Sequence, residues 1–243
     1  MQPDIIKTKE GVSINSNILL PGGNKQFDHL LQKVNISGKC ALIIGPGCES
    51  IAIKLLQNFT EVSIILNDYN SLMHIRAELN NDERIKCKMM DYANTDFSKE
   101  YFDLIYAQAS LSVPERKEIL KEIKRIQKKD GMFCIGEIVS LKEPVAAFVK
   151  DVWERSGLDP LSLSRIKKYF EDKGFEIISE IDLSSTLKDF YEKLRYKVSK
   201  ATKEEKQEYK KYFAAIKHES DIYLKLGGDK YIGFVSFIMR KAN

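Results

Sequence analysis

Cysteine is scarce in this chain of 243 residues: Cys40, Cys48, Cys87 and Cys134, with no CxxC pair among them. Neither a disulfide framework nor a cysteine-based zinc site is suggested. Cys40, Cys87 and Cys134 sit in apolar, strand-like runs and read as small buried hydrophobes. Histidine is scarcer still, with three copies, so few imidazole bases are on offer. No apolar run approaches the roughly 20 residues that a membrane-spanning helix needs. The opening "MQPDIIKTKEG" lacks the apolar centre of a signal peptide, which makes a cytoplasmic protein the expectation. A charge excess is missing too. With 39 Lys and Arg against 35 Asp and Glu the net charge is +4, too mild to demand a polyanionic partner.

What remains is ordinary for a globular protein, 43% hydrophobic and 30% charged, which excludes a disordered or fibrous chain. Residues 24–34 place Phe27, Leu30, Leu31 and Val34 on one face of a helix. Then the pattern alternates. "CALIIG", "VSIILND", "IKCKMMD", "FDLIYAQ" and "GMFCIGEI" read as strands. "ESIAIKLLQNF", "SLMHIRAELNN" and "ERKEILKEIKRIQKK" read as helices among them. Near-continuous apolar strands joined through helices predict a parallel sheet covered on both faces, a doubly wound α/β fold. After residue 137 come two further helices and the strand "FEIISEIDL". Residues 185–217 follow as two amphipathic helices. One stripe is Leu187, Phe190, Tyr191, Leu194 and Val198, the other Tyr209, Tyr212, Phe213 and Ile216. "YIGFVSFIMRK" closes the chain as a strand, so the sheet should end in an antiparallel pair. The expected division is a core over 1–183 with an N-terminal helix, a helical cap insertion over 184–228, and a final core strand over 229–243.

The run "CALIIGPGCES" stops on Gly45-Pro46-Gly47. A strand, a glycine turn and a helix start leave room for a ligand against the backbone. Asp68 ends the second strand, about twenty residues on, where an acid can accept both hydroxyls of a ribose. Asp91 ends the third, where an acid can take the exocyclic amine of adenine. Each aspartate alone reads equally as a solvated loop residue or a helix cap. Together, at successive strand ends, they point to a ligand carrying adenosine. Glu49 separates the two cofactors that fit. A dinucleotide sets its pyrophosphate on this helix start, where a carboxylate about 4 Å away costs roughly 1 to 4 kcal/mol. S-adenosylmethionine carries no phosphate and is net positive, so Glu49 is tolerable or attractive beside it. The plainer reading of Glu49 is an acid in a first helical turn, complementing the macrodipole.

These residues resemble the class I S-adenosylmethionine-dependent methyltransferases. "ALIIGPGCES" resembles their first motif, "IILNDYNSLM" the acidic end of the second strand, and "KMMDYANTDF" the adenine-contacting motif. "YFDLIYAQASL" resembles the fourth strand, and "LLPGGNKQFDHLL" a Gly-Gly element found upstream in some small-molecule methyltransferases. The resemblance implies a Rossmann-like sheet, mostly parallel, and S-adenosyl-L-methionine as cofactor. It implies that Gly45 and Gly47 line the methionyl part, Asp68 the ribose, and Asp91 with Tyr92 the adenine. Ala107 and Gln108 lie beside the sulfonium. Two positions depart from the pattern: Ile43 stands where an acid is usual, and Glu49 where a third glycine is, so that Glu49 can supply the missing acid.

Methyl transfer from a sulfonium is an in-line displacement that needs positioning and a dry site, and no protein nucleophile. No catalytic base is assigned, and no metal. His29, His74 and His218 are the imidazoles available. Ser110, after the fourth strand, and Glu137 and Ser140, around the end of the fifth, can face an acceptor. Tyr191 and Tyr212 can line an aromatic pocket, or simply pack. "AQAS" at the fourth-strand end lacks the Asn/Asp-Pro-Pro-aromatic motif of nucleic-acid amino methyltransferases, so a small-molecule acceptor is expected. From Glu192 to Lys217 nine Lys and Arg face four Glu, either a solvated face or an attraction for an anion. Two other readings stay open: a non-catalytic binding module on the same fold, and a nicotinamide-dependent oxidoreductase.

Overall fold

The computed structural model describes residues 18–79 and 82–242. The expectation drawn from the opening segment lies outside the described residues. In chain order the elements begin with α1 (Lys25–Lys33), β1 (Gly38–Ile44), α2 (Glu49–Leu55), β2 (Phe59–Leu66) and α3 (Tyr69–Glu78). β3 (Ile85–Met89), β4 (Phe102–Gln108), α4 (Arg116–Ile126), β5 (Gln127–Ser140) and α5 (Ala147–Arg155) follow. The chain continues with β6 (Leu161–Ser162), α6 (Leu163–Asp172), β7 (Phe175–Asp182), α7 (Leu187–Lys200), α8 (Lys203–Glu208), α9 (Lys210–Lys225) and β8 (Ile232–Lys241).

The strands form one sheet in the order β3-β2-β1-β4-β5-β8-β7, with the short β6 beside β5. β1 to β5 run parallel, and β8 lies antiparallel between β5 and β7. The order reverses between β1 and β4, which opens a crevice at their carboxyl ends. The mostly parallel doubly wound sheet, the closing antiparallel pair and the helices between β7 and β8 follow the sequence expectation.

Burial explains the layers. β1, β2 and β4 are apolar on both sides because helices cover both. One face packs Phe27 and Leu30 of α1, Ile51 and Leu55 of α2, and Leu72 and Ile75 of α3. The other packs Ile119 and Ile123 of α4 and Ile166 and Phe170 of α6. A third cluster sits over the strand ends. There Ile138 and Phe234 meet Val149 and Trp153 of α5, Leu187 and Tyr191 of α7, and Ile222 and Tyr223 of α9. The edge strands β3 and β7 carry alternating exposed charges. On β7, Glu176 pairs with Arg240 and Glu180 with Lys167, which discourages pairing with another chain.

Several boundaries and faces differ from the sequence reading. The α1 stripe is turned: Leu31 is 48% exposed, while Gln26 and His29 are buried. The reason is polar. Gln26 Nε2 donates to the Ala107 carbonyl at 2.9 Å, and His29 Nε2 meets Ser179 Oγ at 2.9 Å, so the sheet holds these two residues inward. The fourth helix ends at Ile126, and Gln127 already pairs with Phe102, its side chain donating to the Gly131 carbonyl. The insertion holds three helices instead of two, broken near Ala201 and Tyr209, and the last runs on to Lys225. In the second stripe only Phe213 is buried, whereas Tyr209 and Tyr212 are exposed. Cys134 is buried as expected, but Cys40 and Cys87 are half-buried, and Cys48 takes a buried place instead.

The inward Gln26 has a checkable cost. A Cβ on Gly136 would lie 1.9 Å from Gln26 Oε1 and 2.5 Å from the Phe234 ring. Gly136→Ala is therefore expected to lower stability by about 1–3 kcal/mol through overpacking. Chemical denaturation measures it, and the double variant Gln26→Ala/Gly136→Ala should recover part of the loss.

Candidate functional site

The turns and loops at the carboxyl ends of β1, β2, β3 and β4 carry Gly45, Gly47, Glu49, Asp68, Asp91, Tyr92 and Ser110. After β1 the chain turns through Gly45 at φ 102° and Gly47 at φ 83°, conformations that L side chains rarely adopt. Ser110, from the loop after β4, lies against Gly45, and its hydroxyl donates to the Ile44 carbonyl at 2.7 Å. The Leu20 side chain lies against Gly47, about 3.2 Å from where a Cβ would stand. Glu49, the first residue of α2, turns back so that the Gly47 N–H donates to its Oε1 at 3.2 Å. The loop thus carries its own carboxylate on an amide that an incoming anion would use.

Asp68 caps α3. Its Oδ1 accepts from the Ser71 N–H at 2.9 Å, and this bond holds the carboxyl below the ordinary range. The residue is exposed at the end of β2. Asp91 is exposed at the end of β3, with Oδ1 accepting from the Ala93 N–H at 2.8 Å. Tyr92 beside it is buried, and burial raises its phenol. The local reading of each acid, a cap and a turn, is therefore real, and it engages Oδ1 of each.

Gln108 and Ala107 differ from expectation in what they can offer. Gln108 is 2% exposed. Its Nε2 donates to the carbonyls of Pro21 (2.7 Å) and Gly23 (2.9 Å), and its Oε1 accepts from the Tyr106 hydroxyl at 2.7 Å. Both amide donors are committed inside the protein. The Ala107 carbonyl is taken by Gln26.

The acceptor candidates separate. Glu137 is fully buried beneath the loop after β4, on the side where α4 begins. Its Oε2 accepts from Ser112 Oγ at 2.9 Å and from Arg116 Nε at 3.3 Å, while Oε1 has no partner within the protein. Burial pushes its carboxyl up to about 7, against the pull of Arg116. Arg116 is itself buried and donates to the carbonyls of Leu111 and Asp159. Ser140 is buried. Tyr191 is buried in the insertion, stacked on Tyr223 at 4.6 Å, and donates to Glu219 Oε1 at 2.8 Å. Tyr212 is 56% exposed. His29 packs on the sheet by β7, His74 pairs with Glu78 on α3, and His218 of α9 lies 4.0 Å from Asp151 of α5.

Sequence reasoning missed residues 18–24. This segment crosses from the glycine loop to the start of α7, where the Gly22 N–H donates to Thr186 Oγ1 at 3.1 Å. It forms one wall of a cleft of about 170 Å³ whose other wall is Thr186, Asp189, Phe190 and Lys193. The signal is "LLPGG", whose likeness to a Gly-Gly element says nothing of its contact with the start of α7. A larger cleft of about 280 Å³, lined by Leu31 to Ile36 and Asn58, lies beside the start of β1 and away from these residues.

The donor set has a definite chemistry. Three carboxylates, Glu49, Asp68 and Asp91, stand around the crevice, and the loop amide best placed for an anion is already occupied. This suits a ligand offering hydroxyl, amine and ammonium donors and no phosphate.

Residues 42–135 match the family model described as a methyltransferase domain. A sequence comparison with curated proteins found no match. Among solved structures, the chain resembles a candidate sarcosine dimethylglycine methyltransferase from Galdieria sulphuraria, with a TM-score of 0.76 at 15% identity. That match covers 90% of this chain and 84% of that one. It resembles the [4+2]-cyclase SpnF with a TM-score of 0.72 at 19% identity, covering 90% and 80%. A Haemonchus contortus phosphoethanolamine N-methyltransferase in complex with S-adenosyl-L-methionine gives 0.75 at 16%, covering 92% of this chain and 54% of that one. At such identities the likeness is one of fold.

Proposed function

We propose that this chain, whose residues 42–135 match a methyltransferase domain, methylates a small-molecule acceptor using S-adenosyl-L-methionine. One observation carries the reading beyond the fold: Glu49 occupies the Gly47 amide. That arrangement repels a pyrophosphate and suits an ammonium, which argues against the nicotinamide alternative.

When bound, the cofactor supplies an activated methyl group on a sulfonium. The chain's residues do the rest. Asp68 accepts from the ribose hydroxyls with the oxygen that does not cap α3. Asp91 receives the adenine amine, and the buried Tyr92 walls that end. Gly45 and Gly47 bring backbone close, and Glu49 stands where the acid missing at position 43 would act. Ser110 fixes the loop after β4 against the glycine turn. Helices α5, α7 and α9 cover the ends of β5 and β8 and exclude water from the acceptor side. We take residues 184–228 as that cap. Solved structures described as methyltransferases of sarcosine and dimethylglycine, of phosphoethanolamine and of geranyl diphosphate share this fold, which supports a small-molecule acceptor.

Calorimetric titration with S-adenosylhomocysteine tests the reading. A dissociation constant on the order of micromolar is expected, with no heat from NAD. Glu49→Gln should weaken binding of S-adenosylhomocysteine several-fold. No heat from S-adenosylhomocysteine, in protein shown free of carried-over ligand, would overturn it. Tight cofactor binding without turnover across an acceptor screen would favour a non-catalytic module.

A further inference from the structure

The buried amide of Gln108 asks for an explanation. A glutamine at the end of β4, beside the switch point of the sheet, costs free energy to desolvate unless its polar atoms are used. Here they are used on one thing. Both donors hold residues 18–24 through Pro21 and Gly23, and Tyr106 fixes the amide by donating to its oxygen. The segment so held has no regular secondary structure before the turn that leads into α1. It touches two parts of the molecule that otherwise come from distant stretches of chain. Leu20 lies on Gly47 of the glycine loop. Gly22 donates to Thr186 at the start of α7, and the Thr186 hydroxyl donates on to the Leu183 carbonyl at 2.6 Å.

We propose that Gln108 is a positioning residue: it latches residues 18–24 so that Leu20 closes over the glycine loop and Gly22 fixes the first turn of α7. Donor affinity then depends on Gln108 through Leu20, with no contact between Gln108 and the donor. The same latch couples the donor side to the insertion. This inference rests on the donor-site reading given above.

The test uses Gln108→Leu, Leu20→Ala and the double variant, each titrated with S-adenosylhomocysteine. Either single change is expected to raise the dissociation constant about tenfold, and the double variant no further than about either one, because the two residues act in series. Amide exchange at Gly22 and Gly23, followed without ligand, should quicken in Gln108→Leu. Should that variant not fold, Gln108→Glu keeps the shape and the Tyr106 bond while losing both donors. Additive losses, near a hundredfold in the double variant, would mean that Gln108 acts on the donor directly and would overturn the latch. Unchanged donor affinity with a lowered melting temperature would overturn it too, leaving a plain structural pin. Wild-type protein that binds no S-adenosylhomocysteine fails the donor-site reading instead. The latch geometry is then judged by exchange alone, and slow exchange in Gln108→Leu overturns it.

Discussion

Asp68→Ala is expected to raise the dissociation constant for S-adenosylhomocysteine by at least about thirtyfold. Hydrogen bonds to a charged acceptor contribute about 1.5–3 kcal/mol each, and the ribose offers two donors. The same substitution removes the cap of α3, since Asp68 Oδ1 accepts from the Ser71 N–H. A cap lost to alanine costs about 1 kcal/mol of stability. One variant therefore moves two readouts, and a second must part them. Asparagine caps about as well as aspartate, so Asp68→Asn should keep the melting temperature. It lacks the charge and the second acceptor, so it should still bind the ligand weakly. If Asp68→Asn binds like the wild type, the acid is a cap and nothing more.

The second large effect concerns the buried pair beneath the loop after β4. Arg116 is 3% exposed and Glu137 fully buried. Removing one partner of such a pair leaves the other charge uncompensated, and Arg116→Met should cost about 3–5 kcal/mol at pH 8. The cost has a pH signature. Glu137 titrates at about 7 in the folded protein, raised by burial from an ordinary value of 4.5. Between those values the folded state binds the extra proton. The contribution of Glu137 to stability is therefore full below about 4.5 and falls as pH rises through about 7. Without Arg116 the carboxyl is raised further, so at pH 5.5 it is neutral and the variant should lose much less than at pH 8. Denaturation at the two pH values, with Arg116→Met/Glu137→Leu as the rescue, measures this. An equal loss at both would show that the carbonyls of Leu111 and Asp159, stripped of their donor, carry the cost instead.

The contrast between Asp68 and Gln108 shows how far a sequence can be read here. Strands β1, β2 and β4 and the apolar half of β5 were legible because an apolar run covered on both faces has few other meanings, whereas the exposed edge strand β3 follows only from its place in the alternation. The places of Asp68 and Asp91 were legible because each directly follows a strand-like run. Gln108 occupied the anticipated place, yet its side chain serves the segment before α1. No periodicity announces that the amide of residue 108 meets the carbonyls of residues 21 and 23 across the fold. The turned face of α1 was hidden for the same reason. Gln26 and His29 look like surface residues until their partners on β4 and β7 are known. Glu137 was read as facing an acceptor from its place near a strand end. The alternation along β5 puts it instead on the face that holds Arg116. In the insertion, apolar spacing found α7, but the Lys-rich stretch around α8 has too little apolar surface to fix its own breaks.

The place of β8 between β5 and β7 bears on how the protein is made. β8 is the only sheet neighbour of β7 among the described residues. It begins about fifty residues after β7 ends, on the far side of the helical insertion. On the ribosome, β7 therefore emerges with nothing to pair with, and β5 waits with one side unfilled. Pairings so distant along the chain form slowly, and open edges invite association in the meantime. The glutamates on the outer side of β7 and the early helices of the insertion are what stand guard until the last strand threads into place.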